Sequence, residues 1–189
     1  MKTIALDFET ACPAPGNACQ LGLAWIEGKR VTRIEERYIR PRDMRFTFTW
    51  IHGITADHVW DKPEFPAVLD EFREELDGAL VLAHNAGFDA GVMRDCARAY
   101  RVRPPKMSFL CTLQIARGVW PHLKSKSLGN VANHLGIRFR HHNAAEDAVA
   151  CAYVAIAAAR VVGADEISDI PRRLKVWREA AGRNSCASA

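Results

Sequence analysis

Residues 4–11 read IALDFETA, and how this stretch is understood decides the rest of the chain. Alternation places Ile4, Leu6 and Phe8 on one face of a strand and Asp7 and Glu9 on the other. The two carboxylates then stand roughly 6.5–7 Å apart along the strand. Like charges this close repel, and burial adds to the cost. Two arrangements relieve it. The acidic face can be wet, as on one side of an antiparallel sheet, or the carboxylates can hold a hard divalent cation such as Mg²⁺ or Mn²⁺.

Outward from this strand, the pattern alternates in type. Residues 19–26 and 30–40 are β-like and flank a short turn at Gly28, which suggests a hairpin. The stretch TFTWIHGITADHV (47–59) reads as a loop entering a short helix, with Thr55 as N-cap. From Pro66 to Asp77 the spacing of Val68, Leu69, Phe72 and Leu76 predicts an amphipathic helix ended by Gly78. ALVLAHN (79–85) is a short apolar run suited to a strand covered on both faces. A helix is expected over 87–101, a break at Pro104-Pro105, a strand at 107–111, and helices over 112–119, 127–135 and 143–162, the last two stopped by Gly136 and Gly163. The antiparallel start followed by strand–helix alternation argues for an α/β domain on a mixed sheet of about five strands flanked by helices.

Composition fits one such domain. The chain has 189 residues, 49% of them apolar, enough for a sizeable core. No apolar run reaches the ~18–20 residues of a membrane span, and MKTIALDF leads straight into the first strand with no signal-like segment. The expectation is a cytoplasmic protein without a membrane partner. Six cysteines include no Cys-x-x-Cys pair, which argues against a zinc site and for reduced, packed thiols. The net charge of +4 permits a polyanionic partner without demanding one. Basic clusters at 37–45, 98–106, 124–126, 138–142 and 171–178 are either solvated faces or, if several share a cleft, attractors of phosphate. The domain is expected to span 1–163, followed by a basic tail over 164–189, frayed at its end.

Three further segments carry candidate chemistry. In LAHNAGFDAGVM (82–93), Asp89 falls in the first turn of a helix after a buried strand, where ligands of open α/β sheets gather. It is equally a favourable acid at a helix N-terminus. Asn85 is read as shaping the turn. In HHNAAEDAVA (141–150), His142 precedes a helix starting near Asn143, and Asp147 lies in its first turns. This pairs a proton acceptor with a metal ligand, or else is ordinary capping. The loop at Trp50, Ile51 and His52 either lines a base or sugar pocket or packs on the core.

LDFET, HGIT, AHNAGFD and HHNAAEDA, in this order and approximate spacing, resemble the DnaQ-like 3′→5′ exonucleases, the DEDD family of histidine subtype within the ribonuclease H-like fold. The group includes the proofreading subunit of bacterial replicative DNA polymerase and ribonuclease T. The similarity covers roughly residues 2–162, and LCTLQIARGVWP and KSLGNVANHLGI look like the family's connecting segment. Cys111 stands where an Asp often precedes the Thr.

The resemblance implies that Asp7, Glu9, Asp89 and Asp147 bind two Mg²⁺ or Mn²⁺ ions per site, with Asp7 bridging both, and that His142 is the general base. The tyrosine subtype would place Tyr one position later, where Asn143 stands. Two ions about 3.5–4 Å apart would activate water, align it on phosphorus and stabilise the departing 3′ oxygen. Phe8, Thr10, His52 and Phe88 are the expected substrate contacts. The partner implied is nucleic acid with a free 3′ end, single-stranded DNA or a mismatched terminus, releasing 5′-mononucleotides. An RNA-trimming exonuclease, a silent nucleic-acid-binding or polymerase-associated module and a ribonuclease H-type endonuclease are the alternatives. A DNA polymerase and a second copy of the chain stay open as protein partners.

Overall fold

The computed structural model describes residues 1–175. Its frame is one five-stranded sheet in the order β3-β2-β1-β4-β5. β1 (Thr3–Thr10) and β2 (Ala18–Glu27) are antiparallel, and β2 pairs antiparallel with β3 (Arg30–Tyr38). On its other side β1 pairs parallel with β4 (Leu80–Ala83), and β4 with β5 (Ser108–Cys111). β1 is therefore the central strand, at the point where the sheet changes from antiparallel to parallel. This is the mixed α/β architecture expected from the sequence.

Alternation along β1 sorts its side chains into two layers. Ile4, Leu6 and Phe8 enter a core with Val68, Leu69, Phe72 and Leu76 of α3 (Phe65–Leu76) and Met93 and Cys96 of α4 (Ala86–Tyr100). Ala5 faces the opposite core, made with α5 (Thr112–Val119), α6 (Leu128–His134) and α7 (Ala144–Val162). α7 buries Ala148, Ala152, Ala155 and Ala159 against that face; such small side chains let a helix lie close to a sheet. Two short helices, α1 (Thr49–His52) and α2 (Ala56–Val59), complete the segment between β3 and α3. Thr55 caps α2, its N–H donating to His58 Nδ1 at 3.0 Å. Gly78, Gly136 and Gly163 follow their helices with φ of 74°, 71° and 65°, the left-handed geometry that ends a helix without a Cβ penalty.

Residues beyond 163 are not a separate tail as far as residue 175. Ala164, Ile167 and Ile170 are buried in the α7-side core, and Leu174 packs against it. A Cβ on Gly118 would lie 2.6 Å from Leu174 Cδ2, so α5 is shaped to receive this segment. Gly163 ends α7, but the apolar residues Ile167, Ile170 and Leu174 bring the chain back onto the core. The expected frayed end, 182–189, lies outside the described residues.

Two other expectations resolve on contacts. Cys19, Cys96 and Cys151 pack in the cores. The basic cluster at 37–45 is largely engaged in ion pairs, Arg37 with Glu71 and Glu35, Arg40 with Glu64, and Arg45 with Asp43. No single helix among the described residues is long and apolar enough to cross a membrane.

Candidate active site

The carboxylates gather where β1, α4 and α7 meet. Asp7, Glu9 and Asp147 offer oxygens that all lie within 4.8 Å of one another. Asp7 and Glu9 share β1's α7-side face, and Asp147 comes to them from the first turn of α7. Asp89, 1% exposed, approaches from the start of α4. Its Oδ1 accepts the Phe8 backbone N–H at 3.1 Å, which fixes it beside the acidic strand. Asn85, left-handed at φ 78°, makes the turn from β4 into α4, as its place in the sequence implied.

α7 is held in position by a latch that the sequence reading did not contain. Asp7 pairs across the sheet with Gly22, and Glu9 with Gln20. An added Cβ on Gly22 would lie 2.0 Å from the Ala144 carbonyl oxygen, so α7's first turn rests directly on the β2 backbone. Gln20, buried, accepts the Ala144 N–H at 3.0 Å through Oε1 and donates Nε2–H to Glu36 at 2.6 Å. Asn143 donates to the other Glu36 oxygen at 3.2 Å and caps α7 by accepting the Glu146 N–H at 3.0 Å. These bonds satisfy helix N–H groups that would otherwise be orphaned. A glutamine and a glycine alternating in an otherwise apolar strand, CQLGLAW (19–25), are the signal that marks the docking face.

His84 performs a similar service beyond β4. The Lys126 carbonyl can only accept, so His84 Nε2–H donates to it at 2.8 Å, and Nδ1 accepts from the Thr112 hydroxyl at 3.0 Å. Burial pushes the His84 pKa down, which favours this neutral form. Thr112, fully buried, joins α5 to the end of β4 near the site.

Electrostatically the cluster is unfavourable on its own. Burial, then Asp89, Asp147 and Glu9, raise the Asp7 pKa well above the usual carboxylate range. Burial and Asp147 raise Glu9 to about 7, and burial raises Asp89 to about 7 against the pull of the Phe8 N–H. Burial raises Asp147 too, opposed by the His142 backbone and the neighbouring histidines. The leading influences are desolvation and mutual repulsion, not a compensating Lys or Arg. Hard oxygen donors this close together, and short of positive charge, fit a hard divalent cation.

His142 lies in an exposed loop just before α7, with φ at 62°, near enough for its backbone and its ring to act on Asp147. Its neighbour His141 lies against Phe139, ring centroids 4.2 Å apart, and would meet a Cβ on Gly129 at 2.3 Å. His141 is thus packed against α6, and both histidines line a polar hollow of about 170 Å³ shared with His52, His58 and Arg140.

The four expected substrate contacts separate. The Phe8 ring is 2% exposed and packs on Phe65; it faces the core opposite Asp7, so its side chain is not a substrate contact. His52 lines the polar hollow, but both nitrogens serve the backbone: Nε2–H donates to the Thr10 carbonyl at 3.1 Å and Nδ1 accepts the Ile54 N–H at 3.0 Å. Only its ring surface is free. Thr10 and Phe88, the latter 49% exposed, line a second, more apolar cleft of about 450 Å³ with Phe48.

The RNase_T exonuclease family model matches residues 4–155. The chain belongs to that family. The PolC-type DNA polymerase III of Thermotoga maritima is 31% identical over 155 residues, which is 80% of this chain and 11% of the polymerase. The chain spans about a tenth of the length of the curated relatives it matches. The fold is shared with exonuclease X in complex with 5′ overhanging duplex DNA, at TM-score 0.73 and 22% identity over 89% of this chain and 98% of that one. It is also shared with a 3′-exonuclease in 3′-end specific recognition of a histone mRNA stem-loop, at TM-score 0.74 and 15% identity over 87% and 83% of the two chains.

Proposed function

We propose that this chain is a divalent-metal-dependent 3′→5′ exonuclease that removes 5′-mononucleotides from single-stranded or mismatched DNA 3′ ends. The observation that carries this is the convergence of Asp7, Glu9 and Asp147 within 4.8 Å, with Asp89 beside them. These four would hold two Mg²⁺ or Mn²⁺ ions. When bound, the ions would supply Lewis-acid activation and charge neutralisation at the reacting phosphate.

The chain's own residues divide the remaining work. A His142 ring nitrogen takes the proton of the water that attacks phosphorus; the bond to the 3′ oxygen of the preceding nucleotide breaks, leaving a 3′-hydroxyl on the strand and a 5′-monophosphate. Its position in an exposed loop at the rim, rather than in a core, suits a group that must reach substrate and return its proton to solvent. Gln20, Gly22 and Asn143 hold α7 so that Asp147 stays in register with β1. Residues 1–163 would carry the chemistry, with 164–175 as structural support. A DNA polymerase is the protein partner to test first, given the PolC-type relative. RNA is the second reading, supported by the shared fold of the histone mRNA 3′-exonuclease.

The test is digestion of 5′-labelled single-stranded DNA, mismatched duplex and RNA with Mg²⁺ or Mn²⁺, products resolved by length. A ladder shortening from the 3′ end supports the proposal, and the preferred sugar chooses between its two forms. Internal fragments as first products would contradict it. Replacing His142 by alanine is expected to lower kcat by about 10²–10⁴-fold with oligonucleotide affinity nearly kept. An unchanged kcat would remove His142 from this role.

A further inference from the structure

α1 is a helix held in place without a core. None of Thr49–His52 is buried. The element is fastened instead to the end of β1: the Thr47 and Phe48 N–H groups both donate to the Ala11 carbonyl at 2.9 and 3.2 Å, and His52 Nε2–H donates to the Thr10 carbonyl. Within the segment, the Thr49 hydroxyl donates to the Ile54 carbonyl at 2.6 Å, and Gly53 closes the turn at φ 76°. The bonds to Thr10 and Ala11 fix α1 relative to the strand that carries Asp7 and Glu9.

On this fixed mount stands Trp50, 81% exposed. A lone exposed apolar side chain is ordinary, but the setting of this one is not. Phe48, just before α1, lines the apolar cleft with Thr10 and Phe88. His52, the last residue of α1, lines the polar hollow with His58, Arg140 and His142. Trp50 stands in the chain between Phe48 and His52, two residues from each, on a support anchored one residue beyond Glu9. Basic groups along a groove, joined by exposed aromatic faces, are the means by which proteins hold single strands.

We propose that Trp50 stacks on an unpaired base of the substrate strand and so holds the 3′ segment against α1. This rests on the exonuclease reading above and deepens it. A base within a duplex has both faces covered by its neighbours, so an indole platform serves a single-stranded or frayed 3′ end in preference to a paired one. Trp50 is a binding residue here and takes no part in bond breaking.

The experiment has two arms. Steady-state digestion of a ten-residue oligothymidylate compares the wild type with Trp50→Ala, Trp50→Phe and Trp60→Ala, the last at another exposed tryptophan, 66% accessible. Loss of one base–aromatic stack raises KM by about 5- to 100-fold in Trp50→Ala, with a much smaller change in kcat; phenylalanine restores most of it, and Trp60→Ala behaves as wild type. The second arm follows tryptophan fluorescence as the same oligonucleotide is added with Ca²⁺ in place of Mg²⁺. Quenching is expected in the wild type and Trp60→Ala and lost in Trp50→Phe. KM and quenching indifferent to Trp50 would overturn the stacking contact and leave the exonuclease reading intact. A wild-type chain that hydrolyses nothing, yet shows Trp50-dependent quenching, would overturn the exonuclease reading and leave the contact standing.

Discussion

Replacing Asp7 by asparagine is expected to bring metal-dependent hydrolysis below detection and, at the same time, to make the metal-free protein more stable at neutral pH. The two effects share one cause. Asp7 is the member of the cluster on which burial, Asp89, Asp147 and Glu9 all act in the same direction. Removing its charge removes an oxygen donor that cations need and a repulsion that the metal-free fold must bear. Each pKa unit of relief is worth about 1.4 kcal/mol, and for a chain of this size that raises the melting temperature by ~3–6 °C. The check is a pair of measurements on one variant, exonuclease rate and thermal melting in chelator. A folded Asp7→Asn with wild-type activity, or one that melts lower than wild type without metal, would contradict this account.

The second large effect is expected far from any charged side chain. Gly22→Ala places a methyl group 2.0 Å from the Ala144 oxygen and 2.3 Å from the Ala145 nitrogen. Both are backbone atoms of α7's first turn, so rotamer changes give no escape and the helix must move away from β2. Overpacking of this kind costs about 1–3 kcal/mol. The larger consequence is at Asp147, which rides on that turn: a displacement of order 1 Å at a catalytic group can cost about 10²-fold in rate. The variant should therefore fold, melt lower and lose most of its kcat. Gly28→Ala is the control, since a Cβ there meets nothing within 4 Å and its left-handed φ of 58° costs only local strain. Equal activity in the two variants would show that α7's approach over Gly22 does not position Asp147.

These residues also mark how far the sequence could be read. The period-2 alternation of IALDFETA placed Asp7 and Glu9 on one face, and the structure agrees, because strand geometry alone decides that. The helix ends at Gly78, Gly136 and Gly163 were legible for the same kind of reason: left-handed termini select glycine. The ordered motifs point to Asp89, Asp147 and His142 as candidates. What the sequence did not reveal depends on register. Gln20 and Gly22 matter because they sit opposite Glu9 and Asp7 across the sheet, and no local pattern states which residues of two strands face each other. Phe8 shows the opposite error. The family resemblance implied a substrate contact there, whereas strand alternation assigns its ring to the core.

The central claim is that the carboxylate cluster is a cation site, unfavourable without its cations. Carboxylates whose folded pKa is raised are stabilising when protonated, so their contribution is greatest below the unfolded value near 4 and falls as pH rises through about 7 for Glu9 and Asp89. His84 and His52, with lowered pKa values, act in the opposite sense over part of the same range. The decisive quantity is therefore the rise in melting temperature produced by saturating Mg²⁺, measured near pH 8 and near pH 5 on the wild type and Asp7→Asn. Ligand linkage at about 100 times Kd gives ~2.7 kcal/mol, a shift of roughly 5–10 °C. The account predicts that shift in the wild type near pH 8, a much smaller one near pH 5, and little in Asp7→Asn. A wild-type melting temperature near pH 8 that ignores Mg²⁺, or an equal rise in Asp7→Asn, would contradict it.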